Sequence, residues 1–345
     1  MSAATRALFE QRASADRPTP PESPMPETNK KPEITLTNRD REAIATETLK
    51  YTQQGYYTDS KENQITLRNG QTLRDSSNVI KYRDLSQCNI DRAKYRSTFI
   101  SVDPESPLRG VEISWRLEQC QSFSATPRSK QELADGVCNP VLINCTHFVL
   151  LGGGFRMGND GEEQELCYCS ELADLVNTVL NDRANSSPFP HEPTFDKVIH
   201  TPDVTFFRSR AGNIFHPKLP DYGLMDIPFR TSVIFSQAPM QPKLTTLPDG
   251  TMDYADEDTR ERMRTSIMTQ LYASYLQGHN TLVIGAFGCE PRFGNPPHAV
   301  AKLYKEVINT HFRNEHQQGA FKSINFQIPD KATQEIFRKV FYPSS

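Results

Sequence analysis

The chain has 345 residues, 36% of them hydrophobic and 23% charged, with a formal net charge of -3. That is enough apolar surface for one large α/β domain or two modest ones, without the basic excess of a general nucleic-acid binder. No apolar run approaches the roughly 20 residues needed to cross a bilayer, so neither membrane nor nucleic acid is expected as a partner. Residues 1–17 mix Arg6, Arg12 and Arg17 with Glu10 and Asp16 and hold no apolar stretch, which argues against a secretory signal. Residues 17–32 contain six prolines among Ser, Thr, Glu and Lys. Such a segment cannot bury enough apolar surface to offset its ordering entropy, so 1–35 is expected to be a disordered tail.

From residue 36 the patterns become regular, and they divide into an N-terminal extension (36–100) and a core (101–345). Residues 39–54 read as a helix with Ile44, Thr48 and Tyr51 on one face and Gly55 as its stop. Residues 65–67 and 79–80 look like short strands about an Asn69-Gly70 turn. Apolar runs at 111–115, 140–151, 198–207, 232–238, 281–287 and 324–328 read as strands. Between them, helical periods run over 162–183, 258–277 and 297–312, with Gly278 closing the second and prolines opening the third. Strands alternating with helices predict an α/β fold, a three-layer α/β/α sandwich covered on both faces. Seven cysteines, several inside apolar runs, read as small buried hydrophobes in a reducing, cytoplasmic setting, with a nuclear or non-classically exported protein as the alternatives. Cys167 and Cys169 have no second pair at zinc spacing, and no metal or other cofactor is expected.

The most informative segment is residues 141–167. A buried strand runs into Gly152-Gly153-Gly154, then through Phe155 and Asp160 to Glu162-Glu163-Gln164-Glu165 at the start of an amphipathic helix. Three consecutive glycines lose much backbone entropy on ordering, so something there needs a backbone without Cβ atoms. Close approach of an anion to exposed N–H groups is one reason; a tight strand-to-helix turn is the other. The run is neither a Walker loop nor a G-x-G-x-x-G fingerprint. The acids also have a structural explanation, since Asp160 and Glu163 fit a capping box and carboxylates suit a helix N-terminus.

The triple glycine, seven intervening residues, Glu162-Glu163-Gln164 and Leu166-Cys167 resemble the microbial-type poly(ADP-ribose) glycohydrolase family, a branch of the macrodomains. That signature is a triple glycine followed by Gln-Glu-Glu and Leu-Cys. Further segments look similar in the same order: residues 41–57, 200–204, 236–239, 282–289 and 293–297. The resemblance covers about 38–335. It implies a macrodomain fold and a site for ADP-ribose or an ADP-ribosylated protein. Asn144 would contact the distal ribose, and Gly152, Gly153 and Gly154 the phosphates. Gly285, Ala286, Phe287, Gly288 and Cys289 would form a second phosphate loop. Phe155 and Phe287 fit either ligand contact or core packing.

Two departures bear on the chemistry. Gln164 stands where the family has its second glutamate, the residue that protonates the leaving group, and an amide has no proton of useful acidity. Glu290-Pro291-Arg292 lengthens the second loop and adds a charge pair. Glu163, with Glu162 and Asp160, remains to hold the ribose and stabilise an oxocarbenium-like state. The first expectation is therefore a hydrolase removing mono-ADP-ribose from protein side chains, with arginine linkage favoured. A non-catalytic ADP-ribose reader is the alternative, and cleavage of ADP-ribose polymers ranks last. A cysteine nucleophile based on Cys167 or Cys169, with His147 or His200 as base, is the remaining candidate.

Overall fold

The computed structural model describes residues 36–82, 87–123, 138–146, 151–184, 194–209 and 218–343. The expected tail at 1–35 and His147 lie outside them. The first helix, α1 (Asn38–Gln54), opens with a capping box in which Thr37 and Asp40 satisfy each other's backbone N–H groups. It stops at Gly55 in the left-handed conformation, φ 83°. Its inward face is Ala45, Thr48 and Thr52, about one residue round from the expected one, with Ile44 only partly buried.

Asn69-Gly70 is not a hairpin turn. Strand β1 (Tyr56–Thr58) pairs instead with β2 (Gln64–Thr66). Asn69 caps a short helix, α2 (Gly70–Ser76), by accepting from the Thr72 N–H. Gly70 is required there by contact: its N–H donates to Asp174 Oδ2 at 2.6 Å, and a Cβ would run into the Asp174 backbone.

The main sheet has seven strands: β3 (Asn78–Lys81), β4 (Phe99–Asp103), β5 (Pro140–Cys145), β6 (Lys197–Ser209), β7 (Gly223–Ser236), β10 (Thr281–Ile284) and β11 (Ser323–Gln327). Their order is β3-β6-β7-β5-β10-β11-β4. The β3–β6 and β6–β7 pairs are antiparallel and the other four parallel. A separate ribbon joins β8 (Leu244–Thr246) to β9 (Met252–Tyr254). The run at 111–115 belongs to a helix, α3 (Pro107–Phe123), whose buried Leu108 and Val111 recur at helical rather than alternating spacing.

Successive side chains of β5 go to opposite cores. Val141, Ile143 and Cys145 join a cluster with α6 (Glu257–Leu276), α7 (Pro297–Val307) and α8 (Lys331–Phe341). Leu142 joins a cluster with α3, α4 (Glu162–Cys169) and α5 (Leu172–Ala184). The fold is thus the three-layer α/β/α sandwich that the strand–helix alternation implied.

The single helix expected over 162–183 is two. Ser170 is extended, and its hydroxyl bridges the Leu166 carbonyl and the Leu172 N–H. The break lets the buried Glu171 carboxylate accept from the Arg68 N–H at 2.6 Å and the Thr205 N–H at 2.9 Å. Two otherwise stranded donors between layers outweigh one more helical turn.

Candidate active site

Strands β5 and β10 lie side by side and parallel, with Ile143 opposite Ile284. The chain leaving β5 turns to α4 on one face of the sheet, and the chain leaving β10 turns to α7 on the other. Such a divergence at the carboxyl ends of neighbouring strands opens a crevice.

The first wall of that crevice is the glycine run. In the tight turn Leu151–Met157, Gly152, Gly153 and Gly154 have φ of 72°, 58° and 79°. Three successive left-handed residues are costly for anything but glycine. Space adds a second reason, because a Cβ on Gly153 would strike the Gln164 amide and come within 2.7 Å of an Arg292 guanidinium nitrogen. Phe155, one of the two open assignments, is 1% exposed and packs edge-on against Tyr168 beneath the loop.

The second wall follows β10. Gly288, at φ 70°, turns the loop, and a Cβ there would stand 2.6 Å from that of Ala238. Cys289 N–H closes the turn on the Ala286 carbonyl at 2.8 Å. Asn295 fixes the loop from below, its amide donating to Pro239 O (2.7 Å) and Gly288 O (2.9 Å) while accepting from Tyr254 Oη (3.0 Å). Phe287, like Phe155, is buried, and it packs in the core cluster with Ala238 and Met263. Asn295 falls in the segment 293–297 that resembles the family, but its pairing with Tyr254 could not be foreseen: a polar pair bracing a loop from 41 residues apart leaves no local pattern.

The N-terminus of α4 fills the space between the walls. Glu163 is 1% exposed, and its Oε1 accepts from the Thr146 hydroxyl and from the Gly152 N–H at 3.1 Å. Gln164 turns to the first wall and donates to the Gly153 carbonyl at 2.7 Å. Glu162 turns to the second, where its carboxyl occupies the space a Gly285 side chain would need. Asn144, at the end of β5 on the Leu142 face, is 1% exposed, and neither amide atom meets a hydrogen-bond partner among the described residues.

The capping box does not form. Asp160 is drawn away to an ion pair with Arg41 of α1 at 2.8 Å and is largely exposed, while Gly161 is the N-cap residue. The Glu162 N–H points instead at Glu290 Oε1, 3.4 Å away on the second loop. Glu290 also pairs with Arg292 Nε at 2.7 Å, and the same guanidinium reaches to 3.8 Å from Glu163 Oε2. The inserted charge pair therefore ties the two walls together.

Burial, reinforced by Glu290 and Glu165, raises the Glu162 carboxyl well above the ordinary carboxylate range, against the opposing pull of Arg292. Burial likewise pushes the Cys145, Cys167 and Cys289 thiols up, and Cys169 is fully buried, so neither Cys167 nor Cys169 presents an exposed thiolate as a nucleophile. His200 lies at the other end of the sheet, paired with His279 at 3.0 Å between Nε2 atoms. Among the described residues no three His, Cys, Asp or Glu side chains gather as metal ligands, and no helix is long and apolar enough to cross a membrane.

Two glycine-cornered loops at the ends of adjacent parallel strands, with a buried carboxylate and an unpaired amide between them, can cradle a pyrophosphate and hold a ribose beside negative charge. Fold and site define a macrodomain-like protein. Residues 45–209 match the microbial-type PARG catalytic domain. The match takes in the glycine run and the start of α4 and ends before the second loop. Among solved structures, the chain is similar to poly(ADP-ribose) glycohydrolase from Thermomonospora curvata at 22% identity, covering 88% of this chain and 100% of that one, with a TM-score of 0.62. The same enzyme bound to the inhibitor ADP-HPD aligns at 21% identity over 87% and 99% of the two chains, TM-score 0.59. A Deinococcus radiodurans poly(ADP-ribose) glycohydrolase in complex with ADP-ribose aligns at 19% identity over 80% and 98%, TM-score 0.52. At these identities the likeness is one of fold. No curated relative matches the chain.

Proposed function

We propose that the protein is a poly(ADP-ribose) glycohydrolase-type enzyme that binds the terminal ADP-ribose of a polymer in this crevice and cleaves its ribose–ribose bond by water. The observation that carries the reading is the pair of glycine-walled loops flanking a carboxylate, Glu163, held by Thr146 and Gly152. The family match over 45–209 supports it, as does a fold shared with glycohydrolases that hold ADP-HPD or ADP-ribose. This reverses the order expected from sequence, which put mono-ADP-ribose removal first and polymer cleavage last. That order rested on Gln164 and on the number of acids in the loop, whereas the family match favours the polymer.

The pyrophosphate would lie against backbone N–H groups of Gly152–Gly154 and Gly285–Cys289, and the Asn144 amide would meet a ribose hydroxyl. The fixed negative charge of Glu163 would stabilise positive charge at the anomeric carbon as the glycosidic bond lengthens. Gln164 favours one second reading, removal of single ADP-ribose units from protein side chains, arginine included, because a cationic guanidinium brings its own proton to the leaving group.

Release of ADP-ribose from the polymer and from arginine-, serine- and glutamate-linked substrates tests both readings, with calorimetry on ADP-ribose alongside. Turnover of the polymer, reduced about 100-fold or more in Glu163→Gln, is the expected result. Turnover confined to one mono-linked substrate would support the second reading. Tight binding without release would make the protein a reader, and absence of binding would overturn the assignment of the loops.

A further inference from the structure

Three consecutive side chains at the start of α4 point to three different places, and only one of them is open to a substrate. Gln164 is 3% exposed and spends its amide on Gly153. Glu163 is 1% exposed, with Oε1 engaged by Thr146 and Gly152 and Oε2 facing Arg292. Glu162 is partly exposed, and its carboxyl lies over Gly285 on the second wall. Gly285 has an ordinary φ, so its lack of a side chain answers to this contact and not to backbone strain.

We propose that Glu162 is the proton donor of the reaction, taking from the opposite wall the role that Gln164 cannot fill; this rests on the hydrolytic reading above. As the C1–O bond of the distal ribose breaks, its electron pair stays on the departing ribose oxygen, which takes the Glu162 carboxyl proton. Water then bonds to C1 and returns a proton to the Glu162 carboxylate, so the enzyme is unchanged after each turnover.

The surroundings hold that proton on the carboxyl to a pH above the ordinary carboxylate range. Glu290 and Arg292 face Glu162 from the second loop, and Glu163 and Glu165 face it from its own helix. Cys145 of β5, Cys289 of the loop and Tyr304 of α7 complete the shell, all held neutral by burial. The helix N-terminus and Arg292 favour a carboxylate, but burial and the neighbouring acids favour the carboxylic acid more strongly. Glu290 thus serves as a positioning residue, accepting the Glu162 N–H and repelling a second negative charge beside it.

The test compares wild type with Glu162→Gln on two substrates: the polymer, and ADP-ribose carrying 4-nitrophenol at the anomeric carbon, a leaving group that departs without a proton. We expect polymer turnover to fall about 100-fold or more in the variant, with nitrophenol release within about threefold of wild type. Calorimetry should show unchanged ADP-ribose affinity, and the alkaline fall of wild-type kcat on the polymer should be absent from the variant's residual rate. Gly285→Ala, whose methyl group displaces the Glu162 carboxyl, should reproduce the polymer defect with the acid still present. Polymer turnover retained with the wild-type pH profile, or equal loss on both substrates, would overturn the proposal. A wild-type protein inactive on both substrates would instead overturn the hydrolase reading, and this inference with it.

Discussion

Replacing Asn144 by Ala sets stability against function in opposite directions. The residue ends β5, opposite Phe235 of β7, with both amide atoms buried and without protein partners among the described residues. An unsatisfied buried polar group costs about 1–3 kcal/mol, so an amide with two such atoms carries roughly 2 kcal/mol or more. Truncation removes that burden and leaves a small cavity, for which about 1 kcal/mol of lost contacts is a fair figure. The difference predicts Asn144→Ala to be more stable than wild type by about 1 kcal/mol, a rise of about 1–2 °C in Tm for a domain this large. The same substitution should weaken ADP-ribose binding about 10- to 100-fold, as hydrogen bonds to a ribose hydroxyl disappear. Urea unfolding and calorimetry on the same preparation supply both numbers. A variant that is less stable yet binds as well as wild type would refute the argument, because the amide would then be a structural group with partners of its own.

Gly153→Ala forces a left-handed φ on alanine and drives its methyl into the Gln164 amide; we expect a loss of about 1–3 kcal/mol in urea and more than about tenfold in ADP-ribose affinity, and unchanged affinity would show that the loop holds no phosphate. Glu171→Gln removes the charge that accepts from the Arg68 and Thr205 N–H groups and pairs with Arg68 at 3.4 Å, so a loss of about 2–3 kcal/mol should appear as a lower urea midpoint; an unshifted midpoint would mean that something else breaks the helix at Ser170. Burial and mutual repulsion lower His200 to about 4, and burial lowers His279 to about 4. Because the unfolded chain then binds protons first, the contribution of these histidines is present above pH 6.5 and is lost as pH falls toward 4. Between pH 7.5 and 5 each should cost the fold about 2 kcal/mol. Glu162, raised rather than lowered, contributes in the opposite sense, so the informative quantity is the wild-type pH slope minus that of His279→Gln; equal slopes would contradict the burial of the pair.

Elements with strong local signals were legible in the sequence. Gly55 and Gly278 end their helices at φ 83° and 78°, and the glycine run adopts left-handed angles that hardly any other sequence would tolerate. The errors came where distant residues decided the outcome. Residues 111–115 are apolar enough for a strand, but Val111 and, one helical turn before it, Leu108 pack against a sheet already complete without them. Asn69-Gly70 has hairpin chemistry, yet Asp174 captures the Gly70 N–H and starts a helix. Asp160 has the spacing of a capping acid, and Arg41, 119 positions away, takes it. At the site, the first glycine run stood out in the sequence itself, whereas Glu163 and the second loop were placed through the family resemblance. The roles of Thr146, Glu290, Arg292 and Asn295 could not be placed, because each depends on which side chain meets it across the crevice.

The position of the acid has a consequence for the bond that is cut. An α-helix turns about 100° per residue, so side chains two apart leave it nearly back to back. Moving a carboxyl from position 164 to 162 therefore moves it from the first glycine wall to the second, which is where the structure places it. A proton delivered from that wall reaches a leaving oxygen from a different side than one delivered beside Gly153. The Arg292 guanidinium, close to where a Gly153 side chain would be, lies between the two walls, paired with Glu290 at 2.7 Å and 3.8 Å from Glu163. Under the proposal above, the crevice thus offers its second wall, and not the side beside Gly153, to the leaving oxygen, and it is Gln164 that makes this shift necessary.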